Sequence, residues 1–287
     1  MKARIIESDG IRIYSESFGN TQDPTVLLIM GATASGAWWP DEFCTALAGS
    51  GRFVIRYDHR DTGGSTSYEP GAAPYSVEDL ADDAVRVLNG YGIQKAHVVG
   101  MSLGGYISQL LALKVPDQIL TVTTIASERL ASADPAMPGI APELLEYHSR
   151  AADLDWSDRD AVIEYWVGAW RLLSGSAHEF DPELIRKMAA TDLARTPNPL
   201  TAFNHAALGD AVGWLDRLKE IRQATLVIHG TDDIVLPYVH AEALHKAIPN
   251  ARLMTLDGVG HELPRAVWPD VLREIHQHTG VGEQGPA

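Results

Sequence analysis

The rhythm of apolar and polar positions changes twice along the chain and divides it into three parts. Residues 2–7 and 11–18 are short strand-like runs flanking Asp9-Gly10, a dipeptide suited to the left-handed turn of a β-hairpin. Residues 25–30 form a continuous apolar run ending at Gly31, as expected of a strand covered on both faces. Residues 53–57, 96–100 and 120–126 repeat that signature. Between them, helical patterns fit 40–48, 76–88 (opened by a Ser76 cap with Asp79 three residues on) and the stretch from Ser102 to Lys114. From 128 to 222 the pattern predicts no strand, only helical periodicity broken by Pro and Gly, over 155–173, 181–193 and 199–208. Strand and helix then alternate again: strands at 225–229 and 252–256, helices at 238–248 and 265–278.

Strand–helix alternation on both sides of a helical block predicts an α/β fold: a mostly parallel, eight-stranded sheet with helices on both faces. The expected division is a core of residues 1–127 and 223–287, with 128–222 inserted as a helical cap over the sheet's carboxyl edge. Residues 280–287 read as a disordered tail.

Composition narrows the partners. The 287 residues suffice for one large domain, and 45% apolar content excludes disorder over most of the length. A formal charge of 23 − 38 = −15 repels phosphate backbones and anionic lipid, so neither nucleic acid nor membrane is expected as a partner. The single cysteine, Cys44, allows no intrachain disulfide and lies where helix periodicity turns it inward, as a small buried hydrophobe. MKARIIESDG lacks a signal-peptide apolar run, and no window approaches the ~20 apolar residues of a membrane span, so the cytoplasm is the expected location. No pattern in the chain fixes an oligomeric state.

The chemistry centres on Gly100-Met-Ser102-Leu-Gly104, a G-x-S-x-G between a predicted strand and a predicted helix. Small residues at its ends permit a tight turn that projects the serine hydroxyl away from the sheet. A serine hydroxyl is a poor nucleophile until a base takes its proton. Of the 11 histidines, His261 alone sits in a Gly-rich loop between the last strand and the last helix, which reaches the same sheet edge. The imidazole in turn needs an acidic acceptor. Asp233, in Gly230-Thr-Asp232-Asp233, is the favoured one; Asp232 and Glu128 are alternatives. Two backbone donors for an oxyanion are expected from Leu103, directly after the serine, and Ala32, in the small-residue loop beginning at Gly31. Asp58-His-Arg-Asp-Thr-Gly-Gly-Ser65 reads as a hydrogen-bonded loop bracing the elbow. Gly31, Trp38, Trp166 and Trp170 are expected to line a pocket for a flat or apolar small molecule. His261-Glu262 does not complete His-Glu-x-x-His, and no P-loop, dinucleotide motif or metal-ligand spacing is present, so neither metal nor cofactor is expected.

With the order Ser102…Asp233…His261 in place, the chain resembles the α/β-hydrolase superfamily over nearly its whole length. Within it, Arg56-Tyr-Asp-His-Arg-Asp-Thr-Gly63, Ala96-His-Val-Val-Gly100 and Pro40-Asp-Glu-Phe43 look closest to the aclacinomycin methylesterase group, which removes methyl esters from anthracycline polyketides with a Ser-His-Asp triad under a helical cap. The resemblance implies Ser102 as nucleophile, Asp233 as acid, His261 as base, Ala32 and Leu103 as oxyanion donors, and a small-molecule ester, apolar or aromatic, as substrate. Lactonase, C–C bond hydrolase and cofactor-free perhydrolase activities share the same three residues, and a non-catalytic binding protein is the reading of another class. Serine at the elbow sets the chain apart from dehalogenases and epoxide hydrolases of this fold, which carry Asp there.

Overall fold

The computed structural model describes residues 1–281. Strands β1 (Lys2–Ser8) and β2 (Ile11–Phe18) pair antiparallel across a turn in which Asp9 and Gly10 take φ of 53° and 77°. Two consecutive left-handed residues match the twist of the flanking strands, which is why Asp-Gly serves there. Strands β3 (Thr25–Ile29), β4 (Phe53–Tyr57), β5 (Ala96–Met101), β6 (Ile119–Ile125), β7 (Ala224–Gly230) and β8 (Arg252–Leu256) complete one eight-stranded sheet among the described residues. Its order is β1-β2-β4-β3-β5-β6-β7-β8, antiparallel from β1 through β4 and parallel from β4 to β8.

Every residue of β3, β4 and β5 is buried, and the strand period divides their side chains between two cores. Val26, Leu28, Val54 and Val99 enter one core with Phe43 and Leu47 of α1 (Asp41–Gly49) and Val271 and Ile275 of α8 (Trp268–Val281). Leu27, Ile29, Ile55 and Val98 enter the other with α2 (Val77–Tyr91), α3 (Leu103–Lys114) and α7 (Val239–Ala247). Helices therefore cover both faces, which explains the unbroken apolar runs.

Between β6 and β7 the described residues contain no strand but three further helices: α4 (Pro142–Ser149), α5 (Arg159–Leu173) and α6 (Pro182–Leu193). Helix α4 is absent from the sequence reading because it buries only Leu144 and so shows no apolar stripe. Helix α5 starts later than its periodicity suggests, where the Asp158 carboxylate caps the N–H groups of Asp160 and Ala161. Residues Pro199–Ala207 wind as a 3₁₀ segment rather than an α-helix, opened by Asn198. At the ends of the block, Leu130, Ala211, Leu218 and Ile221 are buried in the same core as α2 and α3. Gly280 still belongs to α8, so the expected tail begins later than its composition suggests; its remainder, from 282 on, lies outside the described residues. Among the described residues no helix is long and apolar enough to cross a membrane.

Helix α2 is locked to the sheet by a buried charge pair. Asp83, fully buried, accepts from Arg60 through Nε at 2.7 Å and Nη2 at 2.8 Å, and from Arg86 at 2.9 Å. Removing one partner strands the other's charge in the interior. Asp83→Ala is therefore expected to destabilise the fold by about 3–5 kcal/mol, read in urea titrations as a lower midpoint at unchanged slope.

Candidate active site

Ser102 joins β5 to α3 with φ 52° and ψ −118°, a conformation that non-glycine residues rarely take. Its N–H donates to Ile125 O at 2.9 Å, and its carbonyl accepts from Gly105 N–H and the Ser127 hydroxyl, each at 2.9 Å. So tight a turn leaves no room for side chains beside it. A Cβ on Gly100 would stand 2.0 Å from Gly104 O, and one on Gly104 2.0 Å from Ile29 O. The hydroxyl of Ser102 makes no side-chain cap on α3, and Leu103 is that helix's first residue, so its N–H has no partner within the helix. Ala32, Ser102 and Leu103 together line a cleft of about 550 Å³. Gly31 abuts the same spot, since a Cβ there would lie 3.2 Å from Ser102 Cβ.

The loops after β7 and β8 leave the sheet at the same edge because those strands are parallel neighbours. They bring His261 Nδ1 to 2.7 Å from Asp233 Oδ2, with both residues buried. The other oxygen of Asp233 accepts the N–H groups of Val235 and Leu236 at 2.8 Å each. Burial alone would raise this carboxyl. The charge of the facing His261 and hydrogen bonds from His229, His261 and Leu236 outweigh that and hold its pKa below the ordinary carboxylate value. His229 is a neighbour that sequence reasoning passed over as a strand-end residue: its Nε2 lies 3.2 Å from Asp233 Oδ2 and 2.7 Å from Leu236 O. The clue was its spacing, four residues before Asp233, across a loop that folds back on its own strand.

The two alternatives to Asp233 point elsewhere. Asp232 accepts the N–H of Ser176 at 3.0 Å and its hydroxyl. Glu128 lies along the cleft with its carboxylate 3.9 Å from His240 Nδ1. Cys44 is buried against α1's core, and burial pushes its thiol up to about 12, so it is no nucleophile at neutral pH.

The tryptophans divide. Trp38 and Trp170 stack face to face at 4.7 Å and line a separate chamber of about 270 Å³ with Met101, Phe180, Leu184 and Leu263. Trp166, expected alongside them, instead stacks on Phe203 and borders a narrow crevice with Thr33 and Asp192. Its ring is turned edge-on to Trp38, which holds it outside the chamber's lining.

The polar loop 58–65 braces the loop after β3 and the helical block rather than the elbow itself. His59 Nε2 bonds Met30 O at 2.9 Å, Asp58 accepts Gly36 N–H at 2.9 Å, and Arg195 grips Asp58 with two bonds of 2.8 Å. Residues 174–177, leaving α5, hold the loop after β8: Gly175 N–H donates to Glu262 at 3.1 Å and Ala177 N–H to Gly258 O at 2.9 Å. Contact there is so close that a Cβ on Gly175 would lie 2.1 Å from Gly258 O.

Comparison with known proteins places the fold in a family. The alpha/beta hydrolase fold family matches residues 24–264. Rhodomycin D methylesterase DauP of Streptomyces sp. (strain C5) is 34% identical, with 97% of this chain and 98% of that protein covered; DnrP of Streptomyces peucetius shows the same identity and coverage. Among solved structures, the esterase EaEST of Exiguobacterium antarcticum superposes with a TM-score of 0.80 at 20% identity, over 97% of this chain and 100% of that one. Est816, an N-acyl homoserine lactone degrading enzyme, gives 0.70 at 25% identity over 98% and 100%.

The depressed Asp233 pKa makes a prediction about stability. A carboxyl whose folded pKa lies below its unfolded value of about 3.9 stabilises the fold fully above that value and loses the contribution as pH falls toward the folded pKa. Asp233→Asn should therefore lose less of its stability between about pH 5 and pH 3, the upper part of the range over which such a carboxyl's contribution is lost, than the parent does, both read as denaturation midpoints.

Proposed function

The chain belongs to the alpha/beta hydrolase fold family, and from that premise we propose that it hydrolyses carboxylic esters through an acyl-serine intermediate. Ser102 Oγ attacks the ester carbonyl while His261 takes its proton at Nε2, the ring nitrogen left over once Nδ1 is engaged by Asp233. The negative oxygen of the tetrahedral intermediate is held by the N–H groups of Leu103 and Ala32. Collapse expels the alcohol, which leaves with the proton from His261. Water then repeats the sequence at the acyl group, its proton passing to His261 and back to the Ser102 oxygen as the carboxylic acid departs.

The observation that carries this reading is the 2.7 Å bond from His261 to a carboxylate held in its charged form, at the sheet edge where a strained serine projects. An imidazole so held keeps one tautomer and is stabilised when it gains a proton. Ester as the bond broken is supported by the 34% identity to two rhodomycin D methylesterases over nearly the whole chain, which favours a methyl ester among esters. Residues 128–222 serve in this reading as the cap over the carboxyl edge, α5 and α6 supplying Trp170, Leu184 and Met188 to the apolar chamber. That chamber, which Met101 beside the nucleophile also lines, would take the flat or apolar part of the substrate, with Gly31 leaving space next to Ser102.

Two outcomes are expected. Ser102→Ala should lower kcat for p-nitrophenyl acetate by roughly 10³–10⁶ and abolish labelling by a fluorophosphonate; turnover at the parent's rate would refute the mechanism. Trp170→Ala should raise KM for the methyl ester of a naphthoic acid about tenfold, worth about 1.4 kcal/mol, while leaving p-nitrophenyl acetate within about twofold. Equal effects on both esters would remove the chamber from the substrate's path.

A further inference from the structure

The loop that follows β3 holds a strained residue whose support comes from far away in sequence. Thr33 has φ 63°, a left-handed conformation that a β-branched side chain resists. Such a conformation is costly for a side chain of this shape and persists only where its surroundings over-determine it. Two bonds do so. The Thr33 hydroxyl donates to Ala32 O at 2.6 Å, and Thr33 N–H donates to Nδ1 of His205 at 2.9 Å. His205 comes from the 3₁₀ segment Pro199–Ala207 of the helical block, and its other nitrogen, Nε2, donates to Arg60 O at 2.8 Å. Its ring borders the same cleft as Ala32 and Ser102.

Resting on the esterase reading above, we propose that His205 is a positioning residue for the oxyanion site: by accepting the Thr33 N–H it fixes the Ala32–Thr33 peptide and so, through the Ala32 Cα, restrains the preceding Gly31–Ala32 peptide whose N–H is aimed at the reacting carbonyl. The role requires a neutral ring with its proton on Nε2, because Nδ1 can accept only with its lone pair free. The surroundings enforce that state. Burial, with the nearby His59 ring, lowers the pKa of His205 to about 3, and the Arg60 carbonyl claims the Nε2 proton. His59 itself is kept neutral by burial and bonds Met30 O at 2.9 Å, so the loop is tied at both ends by neutral imidazoles whose rings meet edge to face at 5.8 Å. The helical block thus contributes to the chemistry's geometry through a residue that never touches the substrate carbonyl.

The test compares acceptors at one position. His205→Ala should lower kcat for p-nitrophenyl acetate by about 10- to 100-fold with KM within about twofold, the scale of a misplaced donor. It should weaken by the same factor the binding of an arylboronic acid, whose boron takes the Ser102 oxygen and becomes an anionic tetrahedron. His205→Asn sets an amide oxygen close to where Nδ1 stands and should retain most of both. His205→Gln carries its acceptor farther out, toward Arg60 O, and should behave like the alanine variant. An alanine variant with the parent's kcat and boronate affinity overturns the proposal; so does equal behaviour of the asparagine and glutamine variants, a comparison that still decides if the alanine variant fails to fold. Ser102→Ala tests the parent reading separately, so loss of the His205 effect with Ser102 still essential removes only the positioning role.

Discussion

Three adjacent parallel strands end in a non-glycine residue with positive φ just beyond the strand or its first loop residues: Thr33 after β3, Ser102 after β5 and Ala126 after β6. The ladder does not stop where the strands do. Ser102 N–H reaches Ile125 O and Ala126 N–H reaches Ile228 O, each at 2.9 Å, so two of the three strained residues are stitched to the next strand along, while Thr33 N–H is held by His205 of the helical block. Backbone strain of this kind must be held by its surroundings. Here the holding comes from glycines that let β3, β5 and α3 approach to contact: a side chain on Gly104 would strike Ile29 O, and one on Gly100 would strike Gly104 O. The position of Ser102 is thus a property of the packed strands rather than of one turn, and the cleft beside it exists because those strands cannot separate.

The helical block is fastened to this edge rather than resting over it. Arg195 reaches Asp58, Asn204 reaches Asp61 at 3.0 Å, Ser176 reaches Asp232, and Gly175 reaches Glu262. These contacts fall on the loops after β4, β7 and β8, and His205 adds the loop after β3. Burial raises the Glu262 carboxyl, partly offset by the N–H of Gly175 and the hydroxyl of Ser174, so even this half-hidden acid is committed to the strap 174–177. A block anchored to four sheet-edge loops cannot swing freely without disturbing Asp233 and His261. In the proposed mechanism, opening of the cap and loss of catalytic geometry would be one event.

Local chemistry made most of the sheet readable. The Asp9-Gly10 turn, the double-sided apolar runs and the Ser76–Asp79 capping box each depend on residues a few positions apart, and each stands where its pattern predicts. The Gly100–Gly105 elbow was legible for the same reason, since tight approach demands small residues in sequence order. Choosing between Asp232 and Asp233 needed more than alternation: the choice rests on which carboxylate Ser176 occupies, 56 residues away. Thr33 and His205 are separated by 172 positions, and no periodicity links them. Trp166 and Trp170 share one helix, yet only Trp170 reaches the chamber, because their faces are chosen by Phe203 and Trp38 rather than by α5 itself. What the pattern could not carry is side-chain direction set by distant partners.

Charge gives the proposed reaction a direction. An ester enters neutral, whereas its hydrolysis leaves a carboxylate in a cleft bordered by Glu128 and Asp210, in a chain of net charge −15. Burial raises the Glu128 carboxyl, and Asp210 pushes it the same way; together they outweigh the opposing pull of His240 and Arg129, so negative charge at that position is disfavoured. In the proposed mechanism the oxyanion would be shielded from that repulsion by two backbone donors, but the released acid would not once it moves away from them. In this reading the same two carboxylates, which share the cleft with Arg129 and His240, would disfavour an anionic substrate and favour departure of the anionic product. This asymmetry rests on where the cleft's carboxylates stand, one at the end of β6 and the other beside α2, rather than on Ser102, Asp233 and His261.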